Sequence, residues 1–245
     1  MNATTFVVAR LRAPWRAFRR VLGAGGLAVA VMAGAGCSSV FPGANRDPPM
    51  LFDLSPKSTF PADLPKVRWQ LIVDPPIAAA GLSSSRIALK RHPLRLEYYA
   101  KTSWTDLAPK MVQTLIVESF ENSGKIVAVG RESAGLRSDF VLKTELREFQ
   151  ADYTGGAKNS AKNASPRVRV RINAKLVLMP QRTIIAGITI EKVVVAESNS
   201  MAAIVMAYDY ALGKTLKRLV VWTLRTGSKA WKKRPHRAAV RGQVN

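Results

Sequence analysis

The stretch VRVRINAKLVL, residues 168–178, indicates the fold class most clearly. Apolar and polar residues alternate through it, so one face of a strand would be buried and the other would carry Arg169, Arg171 and Lys175. A second alternating run lies at residues 139–149, and a run rich in β-branched residues follows at 183–195. Because turn-forming residues separate the three runs, they predict an antiparallel meander.

Two amphipathic helices are predicted on either side of this meander. The first would open at residues 102–106, with Thr102 or Ser103 as its cap, and would end at Gly124. The second would run from Met201, after a capping stretch at 197–200, to about Trp222. The apolar stripe expected on the first helix comprises Trp104, Leu107, Met111, Leu115 and Phe120.

Short strands are predicted before and between these elements. They lie at residues 50–54 and 67–73, within 81–89 and 94–99 as a hairpin, and at 125–129. The resulting order is β-β-β-β-α-β-β-β-β-α. It predicts a single α+β domain, in which two helices pack on a mixed, largely antiparallel sheet.

The net charge of +22 is concentrated at the two ends of the chain. Between Cys37 and Trp222 there are 26 lysines and arginines and all 16 acids, so this part carries only about +10. Residues 225–245 hold seven basic residues, no acid and Trp231, a composition that can bind nucleic acid or an anionic lipid surface. We interpret them as a basic, disordered tail.

The sequence shows no constellation of catalytic residues. His92 falls in a hairpin turn and His236 in the tail, and neither has a nucleophile or paired carboxylates at motif spacing. There is no Gly-rich phosphate loop, no GxSxG, no HExxH and no Cys/His zinc pattern. We therefore predict a protein that is not an enzyme and uses no cofactor or metal.

Residues 16–39, RAFRRVLGAGGLAVAVMAGAGCSS, have the layout of an export signal. Arginines precede an apolar stretch too short to span a membrane, and Cys37, the only cysteine, follows Gly34-Ala35-Gly36. This resembles a lipobox, although Gly34 stands where Leu is usual. We predict a cleaved lipoprotein signal peptide at 1–36 and a flexible tether at 37–49, while a plain signal or an anchor helix stays open.

Several short motifs occur in order along the chain: FDLSP at 52–56, IVDPP at 72–76, LSSSRIA at 82–88, EYYA at 97–100, WTD at 104–106 and AYD at 207–209. With this order and spacing, residues 51–222 resemble the ABC-type transport auxiliary lipoprotein family, and the domain is placed at 50–224. Members accompany MCE-domain and paraquat-inducible lipid-transport systems. Phe52 departs from the Tyr that is usual in the family.

The resemblance implies a non-enzymatic lipoprotein that faces the periplasm. Its partners would be an MCE-domain protein and an inner-membrane ABC transporter that move lipid between two membranes. Palmitate and diacylglycerol at Cys37 would anchor it. Ser38 and Ser39 replace the Asp that retains lipoproteins at the inner membrane, which favours the outer membrane. If the protein is exported, nucleic acid is not an available partner. The sequence leaves open whether the chain forms a homo-oligomer.

The stretch between residues 86 and 104 is predicted to hold the partner contacts, because aromatic residues are enriched at interface centres. In the alternative interpretation, Tyr98 and Trp104 are core residues and Arg86 pairs with Glu97. The sequence is also compatible with two other functions: a carrier that encloses an acyl chain, and a binder of nucleic acid or envelope polymer through the tail. The candidate contact residues are Arg86, Glu97, Tyr98, Tyr99 and Trp104.

Overall fold

One mixed, open sheet carries two helices in the computed structural model, which describes residues 48–132, 138–154 and 164–233. The helices are α1 (Ala108–Asn122) and α2 (Met201–Lys232). The α+β prediction is confirmed. The strands are β1 (Met50–Phe52), β2 (Val67–Val73), β3 (Ile77–Ala78), β4 (Arg86–His92), β5 (Arg95–Trp104), β6 (Ile126–Gly130), β7 (Phe140–Asp152), β8 (Arg167–Leu178) and β9 (Thr183–Val195).

Strand β7 organises the sheet. One of its edges pairs antiparallel with β8, which pairs antiparallel with β9, so the predicted meander is confirmed. Its other edge pairs in parallel with β2, β3 and β4 in succession. The two longest ladders are therefore antiparallel, and the parallel pairings are shorter.

The alternating residues of β8 explain how the helices cover the sheet. Val168, Val170, Ile172, Ala174 and Leu176 are all buried on one face. Helix α2 packs on β8 and β9, and α1 packs on α2, β2 and β6. Burial of these apolar side chains stabilises the domain by about 25 cal/mol for each Å² removed from water.

Two aromatic clusters fill the interface between α2 and the sheet. Trp104, Phe149 and Tyr208 meet with ring centroids 5.1–5.6 Å apart, and Trp69 meets Phe140 edge-on at 4.9 Å. The hydroxyl of Tyr208 donates a 3.0 Å hydrogen bond to the carbonyl oxygen of Ala88. This bond satisfies the polar group of a fully buried side chain.

The start of α1 differs from the prediction. The helix begins at Ala108 after Leu107, which makes no side-chain cap, and Trp104 ends β5 instead of lying in the helix. Pro109 has no backbone N–H and is tolerated only in a first turn, which places that turn here. Thr102 and Ser103 pair with β1 and β4 and therefore do not cap the helix. The predicted end is confirmed, since Gly124 adopts φ 59° after the last turn.

The strand order also differs, because five strands precede α1 instead of four. The additional strand, β3, has two residues and directly follows Asp74-Pro75-Pro76. Two residues are too few for an alternating pattern to be recognised.

Helix α2 continues to Lys232, so the prediction of disorder from Arg225 onward is wrong for residues 225–232. Gly227 lies against the ring of Trp69, and Trp231 lies 6.2 Å from Phe140 between ring centroids. These apolar contacts fix the last turns of α2 on the sheet. The remaining tail residues, 234–245, lie outside the described part of the chain.

Candidate functional site: the N-terminal strap and its surroundings

Residues 53–66, which we call the N-terminal strap, cross both helices after β1. The amide of Ser55 donates a 2.7 Å hydrogen bond to Oδ1 of Asp209 on α2, and the amide of Lys57 donates a 2.9 Å bond to Oγ of Ser119 on α1. Leu54 and Leu64 of the strap are buried in the core. The strap fixes the point at which the preceding residues enter the domain.

Three of the motifs noted in the sequence meet at this entry point. Phe52 pairs in register with Trp104, and its carbonyl oxygen accepts a 3.0 Å hydrogen bond from the amide of Thr105. Asp209, on α2, accepts the hydrogen bond from the amide of Ser55 in the strap. The motifs at 52–56, 104–106 and 207–209 therefore build one junction, although more than 150 residues separate its ends.

The structure does not bring the five predicted contact residues to one surface. Trp104 is 1% exposed and packs in the core, so it is not available to a partner, and the prediction of a contact role for Trp104 is wrong. Tyr98 and Tyr99 are successive residues of β5 and lie on opposite faces of that strand. The remaining four residues divide between those two faces.

On one face, Arg86 and Tyr98 form a pair. The guanidinium carbon of Arg86 lies 3.9 Å from the centre of the Tyr98 ring, a cation–π contact. The hydroxyl of Tyr98 donates a 2.9 Å hydrogen bond to the carbonyl oxygen of Gly81. Arg86 therefore contacts Tyr98, where the alternative interpretation had paired it with Glu97.

On the other face, Glu97 accepts hydrogen bonds from Arg95 at 2.8 Å and from Arg91 at 3.3 Å. The hydroxyl of Tyr99 lies 2.8 Å from that of Tyr153. Burial, helped by this hydrogen bond, raises the pKa of Tyr99 well above its usual value of 10. Tyr99 therefore stays neutral at physiological pH and acts as a structural hydrogen-bonding group.

Two arginines of β8 on the polar face of the meander are paired with acids. Arg169 contacts Glu148 at 3.2 Å, Glu191 at 2.8 Å and Asp152 at 3.6 Å, and Arg171 also contacts Glu148. Burial alone would raise the pKa of Asp152, but hydrogen bonds from Thr154 and the nearby arginines outweigh it and lower that pKa. Arg169 and Arg171, predicted to be exposed cations, therefore do not form a free basic surface.

An apolar groove of about 530 Å³ lies beside the strap entry, between the end of β9 and the first turns of α2. Met206, Tyr210 and Val195 line it and are 65%, 53% and 62% exposed. Asp53 and Ser55 of the strap form part of its rim. The sequence pattern of α2 did not single out Met206 or Tyr210, because they lie off its buried apolar stripe and scattered exposed apolar residues are common on protein surfaces.

The described residues, 48–132, 138–154 and 164–233, offer neither a metal site nor a membrane-spanning helix. They contain no group of three or more His, Cys, Asp or Glu side chains placed to hold a metal ion. None of their helices combines the length and apolar composition that membrane crossing requires. Cys37 lies outside these ranges.

A family model described as "ABC-type transport auxiliary lipoprotein component" matches residues 52–220, which is more than half of the chain. The chain belongs to this family of transport auxiliary lipoproteins. The matched region begins within β1 and ends inside α2, so it includes the strap, α1, the complete meander and the part of α2 up to residue 220. The resemblance inferred from the motifs is thereby confirmed.

Solved structures agree with this assignment. The crystal structure of protein XCC0632 from Xanthomonas campestris, a DUF330 family protein, is 32% identical with a TM-score of 0.69, and the match covers 75% of this chain and 99% of that one. A second crystal structure, of an uncharacterized protein, has a TM-score of 0.55 at 10% identity over 71% of this chain and 97% of its own. This second likeness concerns the fold alone.

Among curated sequences, an uncharacterized protein of Bradyrhizobium diazoefficiens, bll6063, is 28% identical over 126 residues. The match covers 51% of this chain and 32% of that protein. The auxiliary lipoprotein chain thus matches about a third of the length of this longer relative.

Proposed function

We propose that this auxiliary lipoprotein is anchored by lipid on Cys37 and acts without catalysis in an ABC-type lipid transport system. The family match over residues 52–220 carries the proposal, because it associates the domain with a transporter. The lipobox-like sequence that ends at Cys37 lies a short distance upstream of the matched region. In this proposal residues 1–36 are removed, 37–49 form the tether, and the protein faces the periplasm from the outer membrane.

Membrane attachment through lipid is physically sufficient for such a role. Each buried methylene contributes about 0.8 kcal/mol, so several acyl chains hold a protein on a bilayer in effect permanently. The strap receives the tether and is itself fixed to α1 and α2 through Ser119 and Asp209. An anchor at residue 37 would therefore hold the domain at the membrane through a flexible tether that joins the domain at a fixed point.

We place the docking surface for an MCE-domain protein at the apolar groove formed by Met206, Tyr210 and Val195. Exposed methionine and tyrosine side chains around a concavity are typical of protein interfaces. The groove also borders the strap entry, so a partner bound there would lie near the membrane anchor. The competing surface is the hairpin of β4 and β5, which carries the predicted contact residues Arg86, Glu97, Tyr98 and Tyr99.

A carrier that encloses an acyl chain receives less support. The interface between α2 and the sheet is filled by Trp104, Phe149, Tyr208 and the apolar residues of β8. Mass spectrometry of the gently purified full chain separates the two functions. A carrier keeps lipid within its fold in equimolar amount after detergent and membranes are removed, whereas an adaptor does not.

Co-purification tests the docking proposal. The full chain, extracted from envelopes that contain an MCE-domain protein and its ABC transporter, is expected to retain the MCE-domain protein through affinity purification. Recovery of the intact chain without any MCE-domain protein, after mild crosslinking as well as without it, would refute docking.

A further inference from the structure

A second groove lies further along α2, on its exposed side facing β9, and has a volume of about 470 Å³. Ile188 of β9 and Val221 and Trp222 of α2 supply its apolar lining. The side chains of these residues are half-buried, and Trp222 also packs against the core. We call this concavity the basic groove, because its remaining lining is mostly cationic.

The cations of the basic groove come from successive turns of α2. Lys217, Arg218, Arg225 and Lys229 line it at spacings that keep them on one side of the helix. Between residues 214 and 232 the sequence of α2 has six lysines and arginines and no acid. Four of these six cations line the groove, which therefore carries a net positive charge.

Most of this charge is not compensated by neighbouring acids. Arg225 contacts Asp63 of the strap at 2.7 Å, with both side chains largely exposed. Glu191, on β9, is bound by Arg169 at 2.8 Å. In the described part of the chain, Lys217, Arg218 and Lys229 have no ion-pair partner.

A helix-stabilising role does not account for the whole set. Cations in the last turn of a helix interact favourably with its dipole, and Lys229 and Lys232 occupy that turn. Lys217 and Arg218 lie in the middle of the 32-residue helix, where the dipole effect has decayed. Their position beside a tryptophan-lined concavity requires a different explanation.

We propose that the basic groove binds an anionic phospholipid. Lys217 and Arg218 would donate hydrogen bonds to its phosphate, since lysine and arginine are effective phosphate ligands. Lys229, roughly three turns further along α2, would add electrostatic attraction for the anion. The glycerol and the first methylenes would lie on Val221 and Trp222, because the tryptophan ring suits the boundary between polar and apolar regions. The proposal goes beyond docking to an MCE-domain protein and is independent of it, because it uses different residues of α2.

Lysine footprinting on the full chain tests this site directly. The chain is reconstituted in phosphatidylcholine vesicles with and without phosphatidylglycerol, and the reactivity of each lysine towards acetylation is measured by peptide mass spectrometry. Phosphatidylglycerol is expected to reduce the reactivity of Lys217 and Lys229 severalfold. The internal controls are Lys66, directly before β2, and Lys175, on β8. Both are exposed, and their reactivity should not change.

A matched pair of triple variants gives the second measurement. Lys217→Gln/Arg218→Gln/Lys229→Gln removes three charges from the groove, and Lys66→Gln/Arg68→Gln/Lys175→Gln removes three from elsewhere. At roughly fivefold per cation near an anionic surface, the groove variant should bind phosphatidylglycerol on the order of a hundredfold more weakly than the control variant. Competition with a spin-labelled phosphatidylglycerol measures this ratio.

Two outcomes would overturn the proposal. One is equal protection of all four lysines, or of none, when phosphatidylglycerol is added. The other is equal weakening in the two triple variants, because net charge and not the groove would then determine binding. Neither outcome affects the co-purification experiment. Phospholipid binding and docking to an MCE-domain protein can therefore be refuted independently.

Discussion

The backbone amide of Ser55 donates a 2.7 Å hydrogen bond to the Asp209 carboxylate, joining the strap to α2 across 154 residues of sequence. Both residues belong to motifs that indicated the family, and together they position the entry of the chain into the domain. A hydrogen bond to a charged acceptor contributes more than one between neutral groups, although exposure to water reduces the difference.

We expect Asp209→Ala to lower the free energy of unfolding by about 1 kcal/mol, because the Ser55 amide loses its acceptor. Amide exchange at Ser55 should become faster, whereas exchange in the meander should be unchanged. Asp209→Asn keeps an acceptor oxygen and is the control. Denaturant unfolding and hydrogen exchange measure both effects, and unchanged exchange at Ser55 in the alanine variant would show that the bond does not hold the strap.

Two glycines of α2 provide a matched pair. A Cβ at Gly227 would lie 2.6 Å from the ring of Trp69, whereas a Cβ at Gly213 would have only the Lys57 side chain near it, at 3.9 Å. Gly227→Ala should therefore destabilise the domain by about 1–3 kcal/mol through overpacking. Gly213→Ala should stabilise it by up to about 1 kcal/mol through helix propensity. Thermal unfolding that changes in the same direction in both variants would contradict the packing of Gly227 on Trp69.

Two truncations test the continuation of α2. One chain stops after residue 224 and the other after residue 233, so that they differ by the described turns that carry Gly227 and Trp231. The shorter chain should be less stable by at least about 2 kcal/mol, because contact of Trp231 with Phe140 is lost. Equal denaturation midpoints in the two chains would mean that these turns add nothing to the fold.

The proposed docking surface is tested by variants of exposed apolar residues. Met206→Glu/Tyr210→Glu places two charges in the apolar groove and uses residues compatible with a helix. We expect it to abolish co-purification of the MCE-domain protein while thermal stability changes little. Leu94→Glu, at the fully exposed tip of the β4–β5 hairpin, is the control and should leave co-purification intact. The reverse result would assign docking to the hairpin.

Much of the fold could be predicted because period-two alternation is a direct consequence of a strand with one buried face. This is why the meander around Val168 and Leu176 was identified correctly. The boundary between β5 and α1 was harder to locate, since Trp104 has helical spacing to Leu107 and Met111 although it ends a strand. The position of Pro109 contained the decisive information.

The candidate site was less accessible from sequence. Ser55 and Asp209 are 154 residues apart, so no local sequence pattern indicates that they are in contact. The burial of Trp104 depends on Phe149 and Tyr208, which come from elements distant in sequence. The last turns of α2 were missed because Arg225, Lys229 and Lys232 dominate the composition of residues 225–232, and the apolar contacts of Gly227 and Trp231 leave no pattern there. The positive charge of that stretch suggested disorder, but the packing of Gly227 and Trp231 on the sheet keeps it helical.

Radioactive palmitate labelling of the full chain and of Cys37→Ala tests the central claim, a lipid-anchored auxiliary protein, most directly. We expect the unmodified chain to incorporate label and to sediment with the outer membrane. The variant should incorporate none, because Cys37 is the proposed attachment point of the lipid. An unlabelled chain, or equal labelling of both chains, would contradict the account.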